Sequence, residues 1–227
     1  MCSVCNTAAV NKQVANGCFC SQQCSAAAYA ACVGACVILK NHYRNPQTKQ
    51  LIAAVDIIGE DEMRSNNTGG SFGYENFGGK PNAGEVPEMT ATRECIEESG
   101  LDLDVQAMVK HLSTAPLILL PCKKKNGQPA YFFTYVTHIE SASTTMMAKA
   151  RASRAARGVK HDCIEMDRFV QVQVKGRSVF DIKTGKQIRV CVRDYSAILE
   201  SAQNFGWVVN TPSLNALGIW DGKSYKL

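Results

Sequence analysis

Three carboxylates, Glu94, Glu97 and Glu98, fall within one short stretch. If that stretch is helical, their i, i+3 and i+4 spacing places them on one face. Left alone they repel one another. Oxygen-only donors at this density suit a hard divalent cation, Mg2+ or Mn2+, which offsets the repulsion and can polarise a phosphate or activate water. A second constellation is built from sulfur: Cys2-x2-Cys5 and, fourteen residues on, Cys20-x3-Cys24. Two close thiolate pairs separated by a loop meet the needs of one tetrahedral zinc, and four thiolates leave no open coordination position, so the expected ion is structural. Cys18, Cys32 and Cys36 are left over and need a fourth donor, such as His42, to hold a second ion; one zinc is the expectation. The third set is cationic. Arg151, Arg154 and Arg157 recur every third residue in an alanine-rich stretch between Lys149 and Lys160, which lines three guanidinium groups along one helix face as a polyanion-binding strip or a solvated surface.

The elements that must position these groups are visible as pattern changes. Pro87 and Glu88 mark a helix start, and Gly100 marks its end, so the carboxylates sit on a helix leading to Ser99. Ser25–Cys32 is alanine-rich and reads as a short helix after the second cysteine pair. Strands are expected at Ala35–Lys40 and Leu51–Ile58, divided by Asn45-Pro46-Gln47. Residues 58–73 are polar and glycine-rich and enter directly upstream of the carboxylate region. The apolar runs Val105–Leu112, Leu117–Cys122 and Ala130–Ile139 continue the strand series, and Asn126-Gly127 marks a hairpin between the last two. Lys123, Lys124 and Lys125 in that hairpin form a solvated turn or an anion-binding rim. Glu165–Val174 alternates as a strand, Ser178–Ile182 and Gln187–Val192 form a hairpin, and Arg193–Asn204 reads as a helix with Tyr195, Ile198, Leu199 and Ala202 on its apolar side.

The totals bound the organisation. A chain of 227 residues can bury a sizeable core. Seven of its eleven cysteines (2, 5, 18, 20, 24, 32 and 36) precede residue 37, which is a local device and not a chain-wide disulfide framework. The division expected is a Cys-rich zinc-binding module over 1–33, a main α+β domain over 34–205 and a tail over 206–227 whose Trp207 and Trp220 pack it on the domain. No secretory leader and no membrane-spanning run is recognisable, which points to a soluble protein of a reducing compartment, cytoplasmic or nuclear. The net charge of +5 is mild and compatible with polyanionic ligands.

The stretch Gly79-x5-Glu85-x7-Arg93-Glu94-Cys95-x-Glu97-Glu98-x-Gly100-Leu101 resembles the Nudix box, Gly-x5-Glu-x7-Arg-Glu-U-x-Glu-Glu-x-Gly-U, where U is a bulky aliphatic residue. Cys95 takes one aliphatic slot as a small hydrophobe. The resemblance implies an α-β-α sandwich with a mixed sheet. It also implies Mg2+- or Mn2+-dependent hydrolysis of a pyrophosphate bond, with metal at Glu94, Glu97 and Glu98 and Arg93 orienting the carboxylates. In many family members a glutamate ahead of an aromatic strand reaches the metal or acts as base, and Glu165 matches that placement; Asp162 and Asp167 are rivals. Gly78 and Gly79 are expected to permit positive φ and close approach of backbone to a pyrophosphate, with Lys80 facing phosphate, although Phe77 stands where the family commonly has proline. Cys18-Phe-Cys20-Ser-Gln-Gln-Cys24-Ser looks like the second half of MYND-type and related treble-clef fingers. A zinc module before a Nudix box is similar to the NADH pyrophosphatase branch, but the Ser-Gln-Pro-Trp-Pro-Phe-Pro stretch of that branch is absent from Ser113–Pro121. The substrates implied are phosphorylated small molecules such as ADP-ribose, NADH or dinucleoside polyphosphates. Alternatives are capped RNA, an inositol pyrophosphate, or a non-catalytic adaptor that binds nucleotide or RNA. Nudix relatives are often homodimers.

Overall fold

The computed structural model describes residues 4, 19, 21–44, 51–60, 74–101, 103–139, 148, 152, 168–190 and 192–204, of which 41–44, 51–60, 139, 168, 192–193 and 202–204 are described by backbone alone. Helix α1 (Gln22–Ala30) leads into the long strand β1 (Cys32–Arg44), followed by β2 (Leu51–Glu60), β3 (Tyr74–Glu75) and β4 (Phe77–Gly79). Helices α2 (Pro87–Ser99) and α3 (Val105–Leu112) come next, then β5 (Leu117–Lys123), β6 (Pro129–Ile139), β7 (Arg168–Lys175), β8 (Ser178–Asp181), β9 (Gln187–Ile188) and α4 (Val192–Asn204). The strands form one mixed sheet in the order β5-β6-β1-β2-β7-β8-β9, with β3 against β2 and β4 against β1. Only β1 and β6 pair in parallel among these ladders; the others are antiparallel.

β1 is the rail on which the fold is assembled. On one side β6 accompanies it from Cys32 to Asn41. On the other side its neighbour changes: β4 pairs with Ala35, Cys36 and Val37, and β2 takes over from Leu39 onward. The short strand that opens the carboxylate region is thereby inserted into the centre of the sheet.

Period-two alternation divides the sheet into two cores. Ala35, Val37 and Leu39 of β1, Phe133 and Tyr135 of β6, and Leu117 and Leu119 of β5 face α1, α2 and α3, meeting Ala28, Ala91, Cys95, Met108 and Leu112. Val170, Val172 and Val179 belong to a second core closed by Ile198 of α4. Each large apolar side chain buried this way contributes about 1.5–3 kcal/mol. The result is an α+β fold with helices on both faces of a mixed sheet, as expected. Phe77 and Phe169 join β4 to β7 through an edge-to-face contact with centroids 5.2 Å apart.

Three local expectations change. Val105–Leu112 is a helix and not a further strand, capped by Asp104, whose Oδ1 accepts from the Ala107 N–H at 2.8 Å. The inward side of α4 is rotated from the predicted one: Asp194, Ala197, Ile198 and Ser201 are buried, while Tyr195 and Leu199 are half-buried. Cys32 and Cys36 lie four residues apart on one strand, a separation of about 13 Å along an extended chain, so they cannot share one ion. The Cys36 thiol instead donates to Thr134 Oγ1 at 3.3 Å. The Asn126-Gly127 hairpin forms as predicted, with Gly127 at φ 81°. Among the described residues no helix is long and apolar enough to cross a membrane.

Candidate active site

Helix α2 starts without a side-chain cap: Val86 occupies the N-cap, Pro87 follows, and Glu88 lies in the first turn. Neighbouring side chains tie this turn to the preceding loop instead. Glu85 Oε2 accepts from Thr90 Oγ1 at 3.0 Å, and Pro87 has no N–H to satisfy. At the far end Gly100 adopts the left-handed conformation at φ 64° and donates to Ile96 O, closing the helix where the pattern predicted.

The helix lies across β1 and β4, and the two glycines of β4 make that approach possible. The Gly78 N–H donates to Glu98 Oε2 at 2.6 Å. A Cβ on Gly79 would lie 2.3 Å from Glu94 Oε1, and one on Gly78 would lie 2.0 Å from the Cβ of Cys36. Neither glycine has positive φ, which corrects the expected reason for them. They are required for close packing within a strand, with Gly78 against β1 and Gly79 against a carboxylate.

Arg93 organises the acidic face. Its Nε and Nη2 donate to Glu85 at 2.8 and 3.1 Å, and its Nη1 donates to Glu94 Oε1 at 2.8 Å and to Glu97 Oε2 at 2.9 Å. Nη2 also donates to the Lys80 carbonyl at 2.8 Å, tying the loop to the helix. One guanidinium thus serves three carboxylates and one carbonyl, a use of its planar fork that lysine could not reproduce. The electrostatic result is marked. The paired guanidinium holds the Glu85 carboxyl well below its ordinary range, at about 2. The same pairing pushes the ionisation of Arg93 further up.

The three box carboxylates differ in setting. Glu98 is 5% exposed and turned to Gly78; the Glu94 side chain is 12% exposed beside Gly79; the Glu97 side chain is 51% exposed. Among the described residues no three acidic, histidine or cysteine side chains converge into a ready cation cage. Arg93 supplies the positive charge between Glu94 and Glu97. The donor set still fits a hard divalent ion, because all three groups are carboxylates on one helix, and Glu94 and Glu98 lie against two glycines that put no side chain of their own before them. Behind them the Cys95 thiol is raised to about 12 by burial and by the nearby Glu98, which removes it as a nucleophile.

The remaining expected site residues divide clearly. Lys80 has an exposed side chain and contributes its main-chain carbonyl. Cys24 lies in the first turn of α1, its N–H donating to Ser21 Oγ at 3.2 Å. Cys2, Cys5, Cys18, Cys20, Asp162, Glu165 and Asp167 lie outside the described residues, as do Arg151, Arg154, Arg157 and the tail over 206–227. Two contacts of the site helix were not foreseen: Glu85 as the anchor of Arg93, and a hydrogen bond from Tyr29 of α1 to Glu88. Glu88 shares its helix face with Ala91, Thr92 and Cys95, and that periodicity alone marks it as an inward carboxylate.

No family model and no curated protein matches the chain. Among solved structures it is similar to a Nudix hydrolase from M. Smegmatis, at 15% identity over 49% of this chain and 63% of that one, with a TM-score of 0.33. It is also similar to a NUDIX hydrolase from Nitrosomonas europaea (11% identity, 77% and 93% covered, TM-score 0.37). A third is a mutT/nudix family protein from Listeria innocua (14% identity, 75% and 95% covered, TM-score 0.35). Likenesses this weak assign no activity, and the chemistry has to come from the side chains.

Proposed function

We propose that this chain is a Nudix-type hydrolase that cleaves the pyrophosphate bond of a nucleoside diphosphate linked to another moiety, with Mg2+ or Mn2+ at Glu94, Glu97 and Glu98. The observation that carries the reading is the arrangement on α2, where Arg93 joins Glu85, Glu94 and Glu97 while Glu94 and Glu98 lie against Gly78 and Gly79. A divalent ion bound there supplies charge neutralisation on phosphate oxygens and lowers the pKa of water. The protein's part is to hold the carboxylates at fixed spacing. Arg93 prevents their mutual repulsion from spreading them, and the glycine strand keeps side chains out of the space in front of Glu94. Lys80, Arg151, Arg154 and Arg157 are assigned to the polyphosphate, and Glu165 to the base that takes a proton from the attacking water.

The test is a substrate panel with Mg2+: ADP-ribose, NADH, dinucleoside polyphosphates, capped RNA and inositol pyrophosphates. At least one member is expected to be cleaved by the wild type, and the combined Glu97→Gln and Glu98→Gln variant is expected to abolish turnover. Nucleotide binding without turnover would instead identify an adaptor. Zinc at Cys2, Cys5, Cys20 and Cys24 is the companion reading, supported by the Ser21-capped helix start that places Cys24 in a first turn. Metal analysis should find about one zinc per chain, lost when the four cysteines are replaced. A metal-free wild type that stays folded refutes it.

A further inference from the structure

The carboxylate face of α2 is fixed from the front by Gly78 and Arg93, but its rear is fixed by a residue outside the box. Glu88 is 5% exposed and faces away from solvent, toward α1 and β6. The Tyr29 hydroxyl donates to Glu88 Oε1. The Tyr29 ring is held edge-to-face on Phe133 of β6, with centroids 5.2 Å apart and planes at 82°. The buried Tyr135 hydroxyl belongs to the same cluster: burial pushes its ionisation upward, and the neighbouring Glu88 and Tyr29 add to that. A carboxyl group at such depth needs a donor, because an unpaired one costs several kcal/mol or must move to water. Val86 offers no side-chain cap at this end of α2, and the Thr90 and Arg93 bonds to Glu85 tie the helix to the loop before it, whereas Glu88 ties it to α1.

We infer that Tyr29 is a positioning residue for the carboxylate face: by holding Glu88 it sets the rotation of α2 about its own axis and so the placement of Glu94, Glu97 and Glu98. The inference deepens the proposed function and rests on it for its catalytic consequence. The lever is short. Glu88 and Glu94 are six residues apart and so lie about 120° from each other around the helix. A roll of about 10° moves a carboxylate roughly 6 Å from the axis by about 1 Å, and a 1 Å misplacement can reduce a rate about 100-fold. The helix bearing Tyr29 also carries Cys24, so the Cys-rich segment takes part in seating the box helix: Ala28 and Phe19 are buried in the same core as Ala91 and Cys95.

The test uses the full chain with Tyr29→Phe, which removes only the hydroxyl, alongside Glu88→Gln, which keeps a carbonyl oxygen to accept from Tyr29, and Glu88→Leu, which keeps none. Mn2+ affinity is measured by titration with paramagnetic detection, kcat and KM are measured on whichever panel member is cleaved, and amide exchange is followed at Gly78, the donor to Glu98. Tyr29→Phe should weaken Mn2+ and lower kcat by about 10- to 100-fold with KM within about twofold, and should speed Gly78 exchange. Glu88→Gln should stay near wild type, Glu88→Leu should match Tyr29→Phe, and the double change Tyr29→Phe with Glu88→Leu should be no worse than either alone. Unchanged Mn2+ affinity, kcat and Gly78 exchange in a folded Tyr29→Phe protein overturns the inference. A wild type that turns over nothing defeats the hydrolase reading instead, and Gly78 exchange then still decides whether Tyr29 seats the helix.

Discussion

Gly78 and Gly79 are adjacent in sequence but have different reasons to be glycine, and alanine substitution separates them. In Gly78→Ala the new Cβ would fall 2.0 Å from Cys36 Cβ and 2.5 Å from both Cys36 Cα and the Ala35 carbonyl. Those obstacles are the backbone and first side-chain atom of β1, so the strands must separate. Overpacking of this kind costs about 1–3 kcal/mol or more, a fall in melting temperature of about 3–10 °C for a chain of this size. In Gly79→Ala the Cβ would fall 2.3 Å from Oε1, 2.4 Å from Cδ and 2.7 Å from Oε2 of Glu94. Here the obstacle is the end of a flexible side chain, which can rotate away at a cost of about 0.5–1.5 kcal/mol. Since Gly79 has no positive φ, alanine brings no backbone strain. The rotation, however, withdraws Glu94 from its place beside Glu98. Melting curves and turnover on the cleaved panel member should therefore dissociate: Gly78→Ala loses stability first, whereas Gly79→Ala melts within about 3 °C of wild type and loses about 100-fold in kcat. A fully active Gly79→Ala protein would show that Glu94 is not needed where the structure places it. Equal destabilisation by the two changes would refute the distinction between backbone and side-chain obstruction.

Other outcomes follow from the same geometry. The Glu85 carboxyl is held at about 2 by Arg93; a folded-state value below the unfolded one contributes stability that is present above about pH 4.5 and lost as pH falls toward 2. Glu85→Gln should therefore lower stability at pH 7 by about 1 kcal/mol after solvent screening, and the difference from wild type should shrink across that acid window in denaturant titrations. Thiol labelling of folded protein followed by peptide mass analysis should modify exposed Cys122 and spare buried Cys36 and Cys95; labelling of Cys95 without unfolding would contradict its place on the buried face of α2. Gly100→Ala, at φ 64°, should cost about 1 kcal/mol through the left-handed backbone alone, which calorimetry can check.

The parts of the fold legible in sequence were those governed by neighbours along the chain. Pro87 and Gly100 bound α2, Asn126-Gly127 turns β5 into β6, and the carboxylate spacing fixes a common helix face because each is a local rule. The helix at Val105–Leu112 was also within reach: Val105, Met108, Val109 and Leu112 recur at i, i+3, i+4 and i+7 behind a capping Asp104. Apolar content alone could not distinguish it from a strand. What the sequence could not disclose were the long-range approaches. That Gly78 meets Cys36, or that Tyr29 meets Glu88 across 59 residues, depends on how β1 places α1 and β4 against one helix. Roles for the arginines at 151, 154 and 157 remain assigned from spacing alone.

The ends of the sheet bear on how copies of this chain can meet. Among the described residues β5 is one margin, and it carries Pro121, which has no N–H to offer a further strand. Lys123 closes that strand, and Lys124 and Lys125 follow in the turn, so two such margins brought together would confront like charges. At the opposite margin, among the described residues, β9 is two residues long and gives an incoming chain little to register against. Both margins therefore discourage edge-on growth of the sheet into aggregates.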